Sequence, residues 1–247
     1  LNISDDDLFA LPVPLPAGDE TLAEQRKIAE CLGSLDDLIA AEGRKLAALR
    51  DHKQGLMQQL FPREGETQPR LRFPEFRDAW DECTLGALSA SISSGRDKSS
   101  PDGAFDLYGS TGVIGKSADG SFVGTFLLVA RVGANAGLLT KVSGSFGVTD
   151  NTLVIDLKDK KNNSFVFHYL DSLGLNRMVF GSGQPLITGS QLKTLPIMLP
   201  KRSEREKVAD CLSALDARIA GQAARLDALR THKCGLMQQL FPNPEAR

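Results

Sequence analysis

From Ile28 onward, seam positions recur in alternating steps of four and three: Ile28, Leu32, Leu35, Ile39, Glu42, Leu46, Leu49, Lys53, Leu56 and Leu60. Eight of the ten are apolar, and the spacing is that of a heptad seam, which predicts a helix of about 36 residues and about 54 Å. The same register returns as Val208, Leu212, Leu215, Ile219, Gln222, Leu226, Leu229, Lys233, Leu236 and Leu240. A lone helix cannot bury such a stripe, so the two are expected to pair. The polar breaks fall at matching places, Glu42 with Gln222 and Lys53 with Lys233. They either set register or sit at solvated turns; an antiparallel pair would bring Glu42 close to Gln222.

The two helices are copies. Glu24–Pro62 and Glu204–Pro242 agree at 23 of 39 positions without a gap, and Gly55-Leu-Met-Gln-Gln-Leu-Phe-Pro62 recurs unchanged as Gly235–Pro242. Each follows a proline-bracketed apolar strip, Leu11–Pro16 or Leu195–Pro200, and each stops at a Leu-Phe-Pro ending, where proline cannot continue a helix. The copies bracket a middle segment of different texture. There, Phe122–Ala130 and Phe146–Asp156 read as strands, with Asp150-Asn151 buttressing a turn. Asn163–Leu173 reads as a helix, with Ser164 available as its cap. The middle is then mixed and mostly β.

Composition narrows the chemistry. A formal charge of -2 and a pI near 6.0 do not announce a nucleic-acid binder, and residues 66–200 hold about 13 basic and about 13 acidic side chains. Two Tyr and one Trp leave little for a stacking platform of the single-strand-binding kind. Cys31, Cys83, Cys211 and Cys234 are too scattered for zinc and read as reduced thiols of a cytoplasmic protein. No apolar run reaches membrane-spanning length. No Walker A loop or adenine-methylating tetrapeptide is present. Asp150 with Asp156 and Lys158 faintly suggests a metal-dependent nuclease string, but the spacing is short for one.

The sequence Leu-Pro-x-x-Leu-Pro, then Glu24-Gln-Arg-Lys-Ile-Ala29, then Gly55–Pro62, then Leu71-Arg-Phe-Pro-Glu-Phe76 with Trp80 and Leu85-Gly86, resembles the specificity subunits of Type I restriction-modification enzymes. That resemblance implies an α+β fold: one target recognition domain flanked by two long helices forming an antiparallel coiled coil. It implies a division into residues 1–18, the last edge of a first recognition domain; 19–62, the first spacer helix; 63–200, the recognition domain; and 201–247, the second spacer helix and tail. It further implies a non-catalytic chain that reads one half of a split duplex DNA target. Its helices would dock methyltransferase subunits through seam positions Ile28, Leu32, Leu35, Ile39, Leu46, Leu49, Val208, Leu212, Leu215, Ile219, Leu226 and Leu229. S-adenosylmethionine, ATP and magnesium would belong to the methyltransferase and motor-endonuclease partners. A half-length member could pair with a second copy. The other reading is a coiled-coil adaptor or decoy that binds protein partners of a restriction system.

Base reading requires paired donors and acceptors delivered on loops, with glycine allowing close approach to phosphate. Three loops fit: Tyr108–Gly115 with Lys116, Arg131–Gly137, and Phe180–Pro185. The expected DNA contacts are Tyr108, Ser110, Thr111, Lys116, Arg131, Asn135, Ser182 and Gln184, with Arg96 and Lys98 on phosphates.

Overall fold

The structure is a computed structural model that describes residues 21–178 and 186–241. Outside them lie the expected domain edge within residues 1–18, the Leu11–Pro16 strip, the loop carrying Ser182 and Gln184, and the second proline stop. In chain order the described elements are α1 (Thr21–Leu60), β1 (Asp81–Thr84), α2 (Leu85–Leu88), β2 (Ser89–Ser94), β3 (Phe105–Gly109), β4 (Gly112–Ser117) and β5 (Phe122–Ala130). There follow β6 (Leu139–Val148), β7 (Thr152–Leu157), α3 (Asn163–Leu173), α4 (Gly189–Thr194), β8 (Pro196–Leu199) and α5 (Arg202–Leu240). Contacts group these into two compact units, Leu1–Asp51 with Asp216–Arg247, and His52–Leu215.

In the first unit α1 and α5 run antiparallel, because Asp36 meets Lys233 while Glu42 meets Gln222 and Arg225. Leu46 and Leu226 are buried; Ile28, Leu32, Leu35, Ile39, Leu49, Ile219 and Leu229 are half-buried between exposed neighbours, as a heptad seam requires. The helices hold 40 and 39 residues, longer than the seam predicts. Periodicity marks only the buried stripe, and the largely polar turn Thr21–Lys27 adds helix without adding seam.

The second unit is built on a six-stranded sheet of order β2-β7-β5-β6-β3-β4, antiparallel except where β3 runs parallel to β6. A two-stranded ribbon pairs β1 with β8. β5 is buried from Phe126 to Ala130 because it has apolar cover on both faces. Leu127 and Val129 join Leu153, Ile155, Phe165, Tyr169, Leu170, Leu192, Val208, Leu212 and Leu215 in the main core. Phe126 and Leu128 face a smaller cluster of Val142, Phe146, Val148 and Val154. His168 is buried and shares a hydrogen bond of 3.3 Å with Ser213.

Two local expectations are corrected. Phe146–Asp156 is not one strand: β6 ends at Val148 and β7 starts at Thr152, with Thr149–Asn151, which holds the Asp150-Asn151 pair read as a turn, lying between the buried end of β6 and the largely buried β7. Ser164 does not cap α3. A 3-10 turn, Lys160–Asn162, leads directly into that helix with Asn162 at the cap position and no side-chain cap bond. Ser164 Oγ instead accepts from Lys141 Nζ at 3.1 Å.

The sheet must coil strongly. β6 pairs Phe146 with Phe122 at one end of β5, whereas β7 pairs Thr152 with Ala130 at the other. Those ends of β5 are about 26 Å apart along an extended strand, yet residues 149–151 bridge at most about 13 Å. Only a curled sheet brings Val148 back beside Thr152. That closure creates the surface considered next.

Candidate nucleic-acid interface

The Thr149–Asn151 turn is a hub on which separate loops are hung by main-chain hydrogen bonds. Thr149 N donates to Tyr108 O at 2.9 Å, holding the β3–β4 hairpin. Arg131 N donates to Asn151 O at 2.9 Å, holding the start of the loop between β5 and β6, and Ile187 N donates to Arg131 O at 2.9 Å. Gly95 N donates to Thr152 O at 3.1 Å, and Asp97 N to Val148 O at 2.9 Å, holding the segment after β2. Gly95 has to be glycine: a Cβ there would collide with the Val148 carbonyl.

Side-chain chemistry at the hub follows from these tethers. Asp97 turns inward, its Oδ2 accepting from Val148 N at 2.8 Å and its Oδ1 from Ser121 Oγ at 2.5 Å. Its neighbours Arg96 and Lys98 are exposed, so the segment places two cations outside and spends its carboxylate on the frame. Ser110 and Thr111 lie at the hairpin tip. Tyr108 is half-buried, its ring edge-on to Phe146 at 5.4 Å, and so supports the hairpin from within. Arg131 Nε, Thr149 Oγ1 and Thr152 Oγ1 are buried with no hydrogen-bond partner among the described residues. Orphaned polar atoms are costly, about 1–3 kcal/mol each, and three of them share this hub.

Two expected contacts sit apart from it. Lys116 lies well down β4 and pairs with Asp106 at 2.8 Å, while its carbonyl accepts from Ser100 N. Asn135 occupies the far side of its loop, exposed, on an open 340 Å³ pocket shared with Asp171 and Asn176. Gly137, at φ 91°, shapes that loop, and a Cβ on it would strike the Asn176 backbone. Asp97 and Thr149 were not singled out from sequence, whereas Asn151 was read as part of a turn and lies in one. The available signal was the alternation in Arg96-Asp97-Lys98, which places like charges on one side of an extended segment.

The nuclease string is not assembled. Lys160 pairs with Asp156, and Lys158 Nζ donates to Ala87 O at 2.8 Å. No group of three or more His, Cys, Asp or Glu among the described residues is placed to hold a metal. Electrostatic perturbation lies elsewhere. The Gln222 amide, opposed by burial and aided by Arg225, holds the Glu42 carboxyl below the usual value. Glu204 raises Arg72 through a two-pronged pair at 2.9 and 2.8 Å. Burial pushes the Cys83 thiol and the Tyr169 phenol up.

Residues 99–231 match the family model described as Type I restriction modification DNA specificity domain. The chain belongs to this family. Among related specificity-domain proteins, the specificity subunit of the type I restriction enzyme EcoprrI of Escherichia coli is 27% identical over 112 residues, covering 45% of this chain and 28% of that one. The MjaX specificity subunit of Methanocaldococcus jannaschii is 25% identical over 261 residues, covering 97% of this chain and 60% of that one. In solved structures, the S subunit of a type I restriction-modification system from M. genitalium has the same fold, with a TM-score of 0.64 at 17% identity over 90% of this chain and 61% of that one. This chain therefore spans less than two thirds of the length of each. No described helix is long and apolar enough to cross a membrane.

Proposed function

We propose that this chain is the DNA-reading, non-catalytic part of a Type I restriction-modification assembly, with its His52–Leu215 unit reading one half of a bipartite duplex target. The observation that carries this reading is the convergence of three separate segments, 95–98, 108–111 and 131–132, on the Thr149–Asn151 hub. Phosphate contacts position a reader and base contacts specify its site. Here Arg96 and Lys98 serve the first role, and Ser110, Thr111 and Arg131 the second. Ser182 and Gln184 belong to the same reading, because Leu186, just beyond them, bridges to Val132 of the Arg131 loop. Lys116 and Asn135 flank the surface.

On this reading the repeated helices act as a ruler and as docking surfaces for methyltransferase subunits through their seam flanks. S-adenosylmethionine, ATP and magnesium are the business of the methyltransferase and motor-endonuclease partners. Two chains could supply the two half-sites. The test is an electrophoretic mobility shift of the chain with its methyltransferase subunits on random-sequence and genomic duplexes, repeated across salt. The expected result is a shift that weakens steeply with salt, with a slope reduced by about 1 for each of Arg96→Ala and Lys98→Ala. Absence of a shift on every duplex, with the protein assembly intact, would favour a protein-binding adaptor and overturn the DNA reading.

A further inference from the structure

The Glu42–Gln222 contact lies on a local symmetry element of the repeat. Gln222 is the second-copy equivalent of Glu42, offset by the same 180 positions that relate the two 39-residue segments. Equivalent residues that meet across an antiparallel pair mark the twofold relating the copies. Both are buried, at 8% and 7% exposure. Gln222 Nε2 donates to Glu42 Oε2 at 2.5 Å and to Glu42 O at 3.1 Å, while Arg225 takes Glu42 Oε1 at 2.9 Å. Every other flanking seam residue on these two turns, Ile39, Leu46, Ile219 and Leu226, is apolar.

We infer that Glu42 and Gln222 form a pairing-selectivity lock: the first spacer helix accepts a second spacer helix as its antiparallel partner and rejects another first spacer helix. The reasoning follows from what each alternative puts at the twofold. Two first-copy helices would set Glu42 against Glu42 in a buried position, where two carboxylates cannot both ionise. The only neighbouring cation would be Lys45, the first-copy equivalent of Arg225, a point charge without the guanidinium fork. Two second-copy helices would set Gln222 against Gln222, a neutral amide pair that can satisfy itself. Only the mixed pair combines one carboxylate, one amide donor and a guanidinium. Chains of this kind are thus prevented from associating through their first helices, while exchange of a first helix for another chain's second helix stays permitted.

Both rejected and tolerated pairings can be written into the intact chain. Gln222→Glu places a carboxylate pair at the twofold, and Glu42→Gln places an amide pair there; the double exchange, Glu42→Gln with Gln222→Glu, restores one of each. Thermal unfolding followed by helical circular dichroism reads the outcome. At pH 7 Gln222→Glu is expected to lower the midpoint by about 5 °C or more relative to the parent, a deficit that shrinks at pH 4 as one carboxyl of the pair takes a proton. Glu42→Gln stays within about 2 °C of the parent at pH 7, and the double exchange recovers at least half of the loss. Arg225 and Lys45 are the cations facing the pair. A Gln222→Glu midpoint equal to the parent's at pH 7, a deficit that does not shrink at pH 4, or a double exchange as weak as Gln222→Glu alone would overturn the lock.

Discussion

The same eight residues, Gly-Leu-Met-Gln-Gln-Leu-Phe-Pro, close both long helices and meet opposite fates. In the first copy Met57, Leu60 and Phe61 are 6%, 3% and 3% exposed, and Phe61 stands edge-on to Phe165 at 5.6 Å and to Tyr169 at 5.3 Å. In the second, Met237 and Phe241 are 43% and 45% exposed. The local stop is identical, with Phe61 N donating to Met57 O at 3.2 Å and Phe241 N to Met237 O at 3.0 Å. Local sequence therefore ends the helix, and tertiary cover decides what the ending contributes. The starts of the copies differ in the opposite sense: Glu204 is buried and clasped by Arg72, whereas Glu24 is exposed.

That contrast can be broken from its strongest side first. Phe61→Ala empties a packed aromatic site and is expected to cost about 3–5 kcal/mol, whereas Phe241→Ala should stay within about 0.5 kcal/mol in the isolated chain. Urea denaturation of the two variants checks both; equal losses would erase the distinction. Leu226→Ala, in the helix pair, should cost about 2–4 kcal/mol, read as earlier loss of helical signal. Acidification acts more gently. Glu42 has its folded value depressed, so its contribution is present above the ordinary carboxylate range and fades as pH falls through the lower folded value. Helical signal from the pair should therefore soften below about pH 4 in the parent and not in Glu42→Gln. The smallest effect is chemical. Cys31 and Cys234 are exposed and Cys83 is held protonated by burial, so iodoacetamide should label the first two about tenfold or more faster.

Legibility in the sequence followed the range of the interactions. The heptad stripe is a short-range signal repeated many times over, so the two helices could be written down from spacing; their antiparallel direction came from the family resemblance, and the meeting of Glu42 with Gln222 follows from the two together. The strand Phe122–Ala130 and the helix Asn163–Leu173 were equally plain. The Asp150-Asn151 turn was visible, but the strand break around it was not, because Phe146–Val148 and Thr152–Ile155 are short strand-like runs only three residues apart. The hub itself depends on curling of the sheet, which joins Gly95 to Thr152 and Tyr108 to Thr149 across stretches of about 40–60 residues. No window along the chain carries that information. Charge was uninformative for the same reason: Arg96 and Lys98 face outward only because Asp97 is drawn in by Val148 N and Ser121.

The central claim is that the unit carrying the hub specifies one half of a DNA target. Mapping methylated motifs in cells that carry this chain with its methyltransferase subunits tests it most directly, comparing the parent with Arg131→Ala and with Thr111→Ala. The account predicts a split motif in which these substitutions relax or change bases in the same half and leave the gap length unchanged. Motifs identical to the parent's in both variants, with methylation still efficient, would contradict it.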